Sequence, residues 1–487
     1  MSPTEPVASA TPAELLRTAL TVIAQHAPQA VELGEVFADS GYELALVGGP
    51  VRDAFLGHAS VDLDFATSAR PEETERLLAA WADAHWDMGR EFGTIGARKG
   101  DTVVEVTTYR TEVYDPQSRK PEVAYGDSLD GDLSRRDFTV NSMALRLPDL
   151  VFVDPFGGLE DLAAGMLRTP ATPEQSFADD PLRMMRAARF AAQLRFDVDE
   201  SAVRAMSEMS ERIGIVSAER VQAELVKLLL AGFPRRGLEL LVHTGLADHV
   251  LPELPALQLT IDEHHRHKDV YEHTLTVLDQ AMDLETDPDG PVPGPDLVLR
   301  LAALLHDIGK PATRRLEPGG GVSFHHHEVV GAKMATKRLK ALRFDKATIN
   351  AVNKLVFLHL RFHGYGDSSW TDSAVRRYVT DAGDQLQRLH RLTRADCTTR
   401  NKRKAARLAH AYDDLEARIE ALAEQEELEA IRPDLDGNQI MQILGIAPGK
   451  QVGQAYQHLL ALRMERGPLG EEEARRELLT WWESQPR

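Results

Sequence analysis

The chain has 487 residues, 43% hydrophobic and 27% charged, with a formal net charge of −20 at pH 7. That length excludes a single core and predicts three or four domains of ordinary globular composition. Taken whole, the charge speaks against a polyanionic partner, although local patches decide such binding. Cys397 is the only cysteine, so no intrachain disulfide forms and a reducing cytoplasm is the expected compartment. No apolar run approaches the ~18 residues of a membrane span, and no signal-peptide pattern is present, so no membrane partner is expected.

The opening MSPTEPVASATPAE is rich in Pro, Ala, Ser and Thr and reads as disordered. Residues 12–38 follow as helix, with Leu15, Leu16, Leu20, Ile23 and Ala24 spaced for one apolar face. An apolar strand, residues 44–47, then runs into Gly48-Gly49, where the backbone can turn tightly and approach a bound group closely. The helix expected next, carrying Arg52 and Asp53 near its start, presents amides and a guanidinium suited to phosphate. In the following strand, VDLDFAT, Asp62 and Asp64 are two apart and project from one face. Two hard oxygen ligands beside a phosphate cradle fit Mg²⁺.

Residues 71–84 read as an amphipathic helix, and 94–109 as a hairpin turning at Lys99-Gly100-Asp101. Glu105 on its second strand is a candidate third carboxylate beside the first two. Residues 114–131 have no period and are expected to form a long mobile loop. LSRRDFTVNSMAL places Arg135, Arg136, Asp137 and Asn141 at the start of a helix; Asp137 can cap it, and Asn141 or an Arg can reach a sugar or triphosphate. In DDPLRMMRAARFAAQLRF, Asp180, Arg183, Arg186 and Arg189 recur every three residues along a helix face, while Met184, Met185, Ala188, Phe190 and Leu194 supply its core stripe. Ser217 caps an amphipathic helix over 217–230 that reads as structural.

Up to this point, GGPVRDAFLG with VDLDFAT resembles the head of the class II tRNA nucleotidyltransferases (CCA-adding enzymes) and the bacterial poly(A) polymerases related to them. RRDFTVN matches that family's second motif, DPFGG (154–158) its third, DDPLR its fourth with Asp179 replacing the usual Glu, and SAERVQAEL its fifth. The resemblance implies an α+β fold: a small mixed β-sheet, polymerase-β-like nucleotidyltransferase head, then an all-helical neck and tail. It implies catalysis by Asp62 and Asp64 with two Mg²⁺ ions, and a nucleotide seat of Gly48, Gly49, Arg52, Arg136, Asp137 and Asn141. The base edge is read by Asp180 and Arg183, supported by Arg186 and Arg189, and the loop at 114–131 switches CTP to ATP addition. The implied substrates are tRNA, CTP and ATP.

Further on, His273, His306-Asp307, His327, His359 and Asp396 form a second constellation whose ligand types suit Zn²⁺, Mn²⁺, Fe or Ni²⁺. Their order resembles the HD-domain phosphohydrolases. That likeness implies a divalent metal of unassigned identity on His273, His306, Asp307 and Asp396, with His327 and His359 extending the site to a second ion. His264, His265, His267, His325 and His326 read as surface or supporting groups. Two basic patches, Lys333–Arg343 and Arg391–Arg407, stand out from the acidic background. The expected division is a flexible 1–25, a head over 26–165, a neck over 166–262, an HD domain over 263–400 and a helical tRNA-binding body over 401–487. CCA addition is the leading reading. Poly(A) addition is disfavoured by Glu91 and by Gly93-Thr94, and CC-only addition by the long loop; A-only addition is a further alternative. An HD-driven phosphohydrolase with a nucleotide-binding head, or a tRNA-binding scaffold, are the rivals from other classes.

Overall fold

The computed structural model describes residues 11–113, 122–126, 128–258, 269–318, 321–365, 370–399, 401–426 and 432–485. The chain divides into two compact units, Met1–Pro252 and Glu253–Arg487.

The first unit opens with α1 (Pro12–His26) and α2 (Pro28–Asp39). These are two helices where one was expected. Pro28 has no N–H to donate and pushes Ala27 out of the helical region (φ −135°). Thr11 and Glu14 close a capping box on α1, and Leu15, Ala19 and Ile23 form its buried face, leaving Ala24 exposed.

The head follows as β1 (Leu44–Val47), α3 (Gly49–Phe55), β2 (Asp62–Thr67), α4 (Pro71–Trp81), β3 (Ala84–Trp86), β4 (Thr94–Lys99) and β5 (Thr102–Thr108). After them come β6 (Arg110–Val113), β7 (Glu122–Tyr125), α5 (Leu129–Ser134), β8 (Ala144–Leu147), β9 (Val151–Val153) and α6 (Gly158–Ala164). Seven strands pair in the order β3-β4-β5-β2-β1-β8-β9. The β2–β5 pair is parallel and its neighbours are antiparallel. Ala45, Val47, Ala66, Tyr109, Ala144 and the α5 residues Leu129 and Leu133 pack into a buried cluster against the sheet.

Three local expectations change here. The helix from Pro71 stops at Trp81, and residues 84–86 become an edge strand paired with β4. The aperiodic segment 114–131 contains β7, paired antiparallel with β6, and the start of α5; residues 114–121 and 127 lie outside the described residues, and with them the expected mobility. RRDFTVN does not begin a helix. It follows α5 and forms a single 3₁₀ turn, Thr139–Asn141, before β8.

Helices then take over: α7 (Pro173–Asp179), α8 (Leu182–Leu194), α9 (Glu200–Met209), α10 (Ala218–Leu229), α11 (Pro234–His243) and α12 (Leu246–Val250). Asp180 is not on α8; it sits extended (φ −140°, ψ 101°) between α7 and α8, because Pro181 disfavours helix in the residue before it. Gly237 lets α11 lie directly on α8: a Cβ there would stand 2.5 Å from the Ala188 carbonyl oxygen. Ser217 caps α10 as expected.

The second unit holds α13 (Val270–Asp283), α14 (Leu297–Leu305), α15 (Lys310–Thr313), α16 (His327–Ala341), α17 (Lys346–Leu358), α18 (Asp372–Ala382) and α19 (Leu386–Ala395). It ends with α20 (Lys402–Glu426), α21 (Gly437–Leu444), α22 (Lys450–Arg466) and α23 (Glu471–Glu483). Leu299–Leu305 of α14 is buried throughout. Arg376 of α18 donates to the Met464 carbonyl of α22 at 3.2 Å, and Leu435, Ile440, Leu459 and Leu478 centre a separate apolar cluster in the last three helices. Among the described residues no helix is long and apolar enough to cross a membrane.

Candidate functional site

Strand β2 alternates as its sequence requires. Leu63 and Phe65 are buried, while Asp62 and Asp64 stand exposed on the opposite face. The parallel register pairs Asp64 with Glu105 on β5, and Glu105 is exposed as well, so three carboxylates share one face. Asp64 keeps an accessible surface, but the protein crowded around its carboxyl strips part of its hydration; that desolvation, with Glu105 and Asp62, outweighs the opposing pull of Arg136 and pushes it up to about 6. Such crowding of like charge fits a divalent cation.

Gly48 ends β1 with φ +73°, a backbone that favours glycine. A Cβ at Gly48 would meet Arg136 Nη1 at 2.9 Å, so Arg136 is the guanidinium laid over the turn; Gly49 lies nearer Arg52. The buried Asp132 of α5 holds Arg135 and Arg136, the latter at 3.0 Å. Arg52 is held from both sides: it donates to Asp53 and, at 2.7 Å, to Asn141 Oδ1.

From Asn141 a buried polar chain continues into the neck. Its Nδ2 donates to Asp137 Oδ1 at 2.9 Å, and Asp137 pairs with Arg186 of α8 at 2.5 Å. Arg186 lies 4.0 Å from Glu224 of α10, which binds Arg189 at 2.6 Å. Burial alone would raise Asp137, but Arg186 and the Asn141 amide overcome it and hold the carboxyl at about 2. Arg52, Arg186 and Arg189 surround the Phe190 ring, the last at 4.0 Å from its centroid. Arg183 is buried and donates to Ser176 Oγ at 2.8 Å and to the Arg135 carbonyl. Asp180 accepts from Arg220 at 3.0 Å and from the Leu182 amide. The structure thus brings the glycine turn, RRDFTVN and the arginine ladder into one connected group. It sends the Asp180 and Arg183 side chains to different partners.

In the second unit the histidines converge. His306, His327 and His359 each sit beside the carbonyl three residues back, Nδ1 to oxygen at 2.7, 2.8 and 2.6 Å. An Nδ1–H donated there leaves each Nε2 as a lone pair pointing inward. His273 Nε2 stands 2.9 Å from Asp396 Oδ1 and 3.4 Å from His306 Nε2, and His327 Nε2 stands 3.3 Å from Asp307 Oδ1. Two ligand groups result, His273–His306–Asp307 and Asp307–His327–His359, sharing Asp307. The Nε2 atom of His359 is buried without a hydrogen-bond partner, a costly state that a cation would relieve. Although burial opposes charging His306, Asp307 and Asp396 push it up to about 10, and a cation bound at Nε2 would take that proton's place between the same carboxylates; burial and the neighbouring His306 push His359 down to about 3. The donor set therefore fits metal. His325 and His326 are exposed at the surface, and His264, His265 and His267 lie outside the described residues.

Three participants escape a reading of motifs. Asp132 and Glu224 reach the site only through burial among arginines. Lys310, which binds Asp307 Oδ2 at 2.8 Å, had a signal: it stands one helical turn after the His-Asp pair.

Residues 44–168 match the poly A polymerase head domain, 195–257 the probable RNA and SrmB- binding site of polymerase A, and 270–419 the HD domain. The A-adding tRNA nucleotidyltransferase of Deinococcus radiodurans is 33% identical over 450 residues, covering 91% of this chain and 96% of that protein. The CCA-adding enzyme of Streptococcus gordonii is 40% identical over 236 residues, 48% of this chain and 58% of that protein; the chain thus spans little more than half of that relative. The Bacillus stearothermophilus CCA-adding enzyme in complex with CTP superposes with a TM-score of 0.67 at 22% identity, covering 94% and 98% of the two chains. The Thermotoga maritima CCA-adding enzyme complexed with tRNA_CCA gives 0.61 at 19% identity, covering 96% and 99%; both show a common fold. By its full-length likeness to the first of these relatives and its three matched domains, this chain belongs to the tRNA nucleotidyltransferase and poly(A) polymerase family and is a nucleotidyltransferase carrying an HD domain.

Proposed function

We propose that the enzyme adds nucleotides to tRNA 3′ ends without a nucleic-acid template, building CCA from CTP and ATP. The observation that carries this reading is the shared face of Asp62, Asp64 and Glu105 beside a glycine turn overlaid by Arg136. Asp62 and Asp64, with Glu105 adjacent, would hold Mg²⁺. Two such ions would supply a lowered pKa for the RNA 3′-hydroxyl and neutralisation of the pyrophosphate leaving group. Gly48, Gly49 and Arg136 seat the triphosphate, and Arg52, positioned by Asn141, flanks it. Asp180 and Arg183 read the base edge: a carboxylate accepts from the exocyclic amine that cytosine and adenine share, and a guanidinium donates to ring acceptors. That role requires both to leave the partners they have here. Arg186 and Arg189, tied to Asp137 and Glu224, orient the helix that carries them.

The test incubates the purified protein with tRNA lacking its last three nucleotides and CTP, ATP or both, and sequences the ends. Sequential C, C and A is expected, and Asp64→Asn eliminates all addition while leaving the fold intact. Retained addition in that variant refutes the metal assignment. Addition of A alone, only to ends already carrying CC, would establish the second reading, which the full-length likeness to an A-adding enzyme favours.

The HD centre supports a further reading as a divalent-metal phosphohydrolase. His273, His306, Asp307 and Asp396 would hold one ion, and Asp307, His327 and His359 a second. Metal there would supply an activated water for phosphoester cleavage. Phosphate release that survives Asp64→Asn and is lost in His306→Ala would separate it from the head's activity.

A further inference from the structure

One of the two basic patches belongs to neither centre. From Val329 to Tyr365 the sequence holds eight Lys and Arg against one carboxylate, Asp345, in a chain whose acidic residues exceed its basic ones by 20. Helix α16 buries Gly331, Ala332, Ala335 and Leu339. Its period therefore turns Lys333, Lys337 and Lys340 outward, and all three are exposed. Lys346, at the start of α17, is exposed too. Two acids of this region are engaged elsewhere: Glu253 is bound by Arg338 at 2.8 Å, and Asp345 accepts from Thr348. A solvated helix of this kind normally interleaves acids at i±4 to relieve repulsion. This one has none between Glu328 and Asp345, so its lysines stand in mutual repulsion unless an anion covers them.

We propose that the outer face of α16, extended by Lys346, is a docking surface for the phosphate backbone of RNA. Its occupant is the substrate tRNA itself, so the inference rests on the proposed function. Lys333 to Lys340 spans about 10 Å along the helix, enough to set its lysines against neighbouring phosphates of one backbone rather than against a single one. The contact is to backbone and reads no sequence, as befits an enzyme that must accept many tRNAs. It also lies outside the polymerase head and neck that the family resemblance assigns to nucleotide selection.

The test compares the full chain with the triple variant Lys333→Glu/Lys337→Glu/Lys340→Glu. Fluorescence anisotropy with labelled tRNA lacking CCA is measured from 50 to 300 mM salt. The expected result is a Kd raised about tenfold or more near physiological salt, and a plot of log K against log salt shallower by about two to three. A Lys→Arg triple variant keeps both. Unchanged affinity and slope overturn the proposal and leave an acidic protein as the partner such a face would fit. Nucleotide addition is measured separately. If wild type binds tRNA and the Glu triple variant loses affinity and slope as above, yet no nucleotide is added, the proposed function is refuted while this surface is supported; a wild-type protein that binds no tRNA refutes both.

Discussion

Asp137→Asn isolates the junction between the nucleotide seat and the neck. Asp137 is 7% exposed and paired with Arg186 at 2.5 Å, and its carboxyl sits at about 2. An unfolded Asp ionises near 3.9. Between those two values the unfolded chain binds more protons, so stability rises with pH through that window. It is fully present above it and lost as pH falls through 2. The difference corresponds to about 2–3 kcal/mol at pH 5 and above, shrinking to about 1 kcal/mol at pH 3. The asparagine keeps the size but removes the charge, so the variant's deficit against wild type should follow that curve. Urea unfolding at pH 7, 5 and 3, with constant m-values, measures it. A deficit equally large at pH 3 and pH 7 would refute the argument, because it would mean that shape and not ionisation holds the junction.

Two further outcomes follow from other parts of the structure. Gly48→Ala places a methyl in a left-handed turn and 2.9 Å from Arg136 Nη1; steady-state kinetics should show KM for nucleotide raised about tenfold, from about 1–2 kcal/mol of strain and a displaced guanidinium. In the HD centre, His359→Ala should lower the metal bound per chain, measured by elemental analysis after dialysis, while nucleotide addition by the head stays unchanged; undiminished metal content refutes a second ion position.

The parts of this molecule that the sequence displays are those written in local period. Alternation in VDLDFAT puts Asp62 and Asp64 on one face because a strand has no other way to arrange them. The ligands of the HD centre stand out because a buried His-Asp pair has no apolar excuse. What stayed hidden depends on distant residues. Glu105 could be named as a candidate, but its pairing with Asp64 rests on β2 and β5 running parallel in a particular register, a fact no window of a dozen residues contains. Residues 114–131 lack a period, yet their backbone acquires a strand from pairing with β6. Two prolines were readable in principle: Pro28 and Pro181 each divide what periodicity alone joins, since an apolar face can continue across a break in the backbone. The arginine ladder was legible as three cations in a row, but its anions, Asp137 and Glu224, come from other elements.

The run from Arg52 through Asn141, Asp137, Arg186 and Glu224 to Arg189 has an evolutionary corollary. Its ionised members alternate in sign and, apart from the half-buried Arg186, are buried, so neutralising one leaves a neighbouring charge without its partner. Lineages can therefore wander at these positions only through compensated exchanges. A relative carrying a lone substitution in the string should show either a second change beside it or a polymerase whose head and neck have come uncoupled.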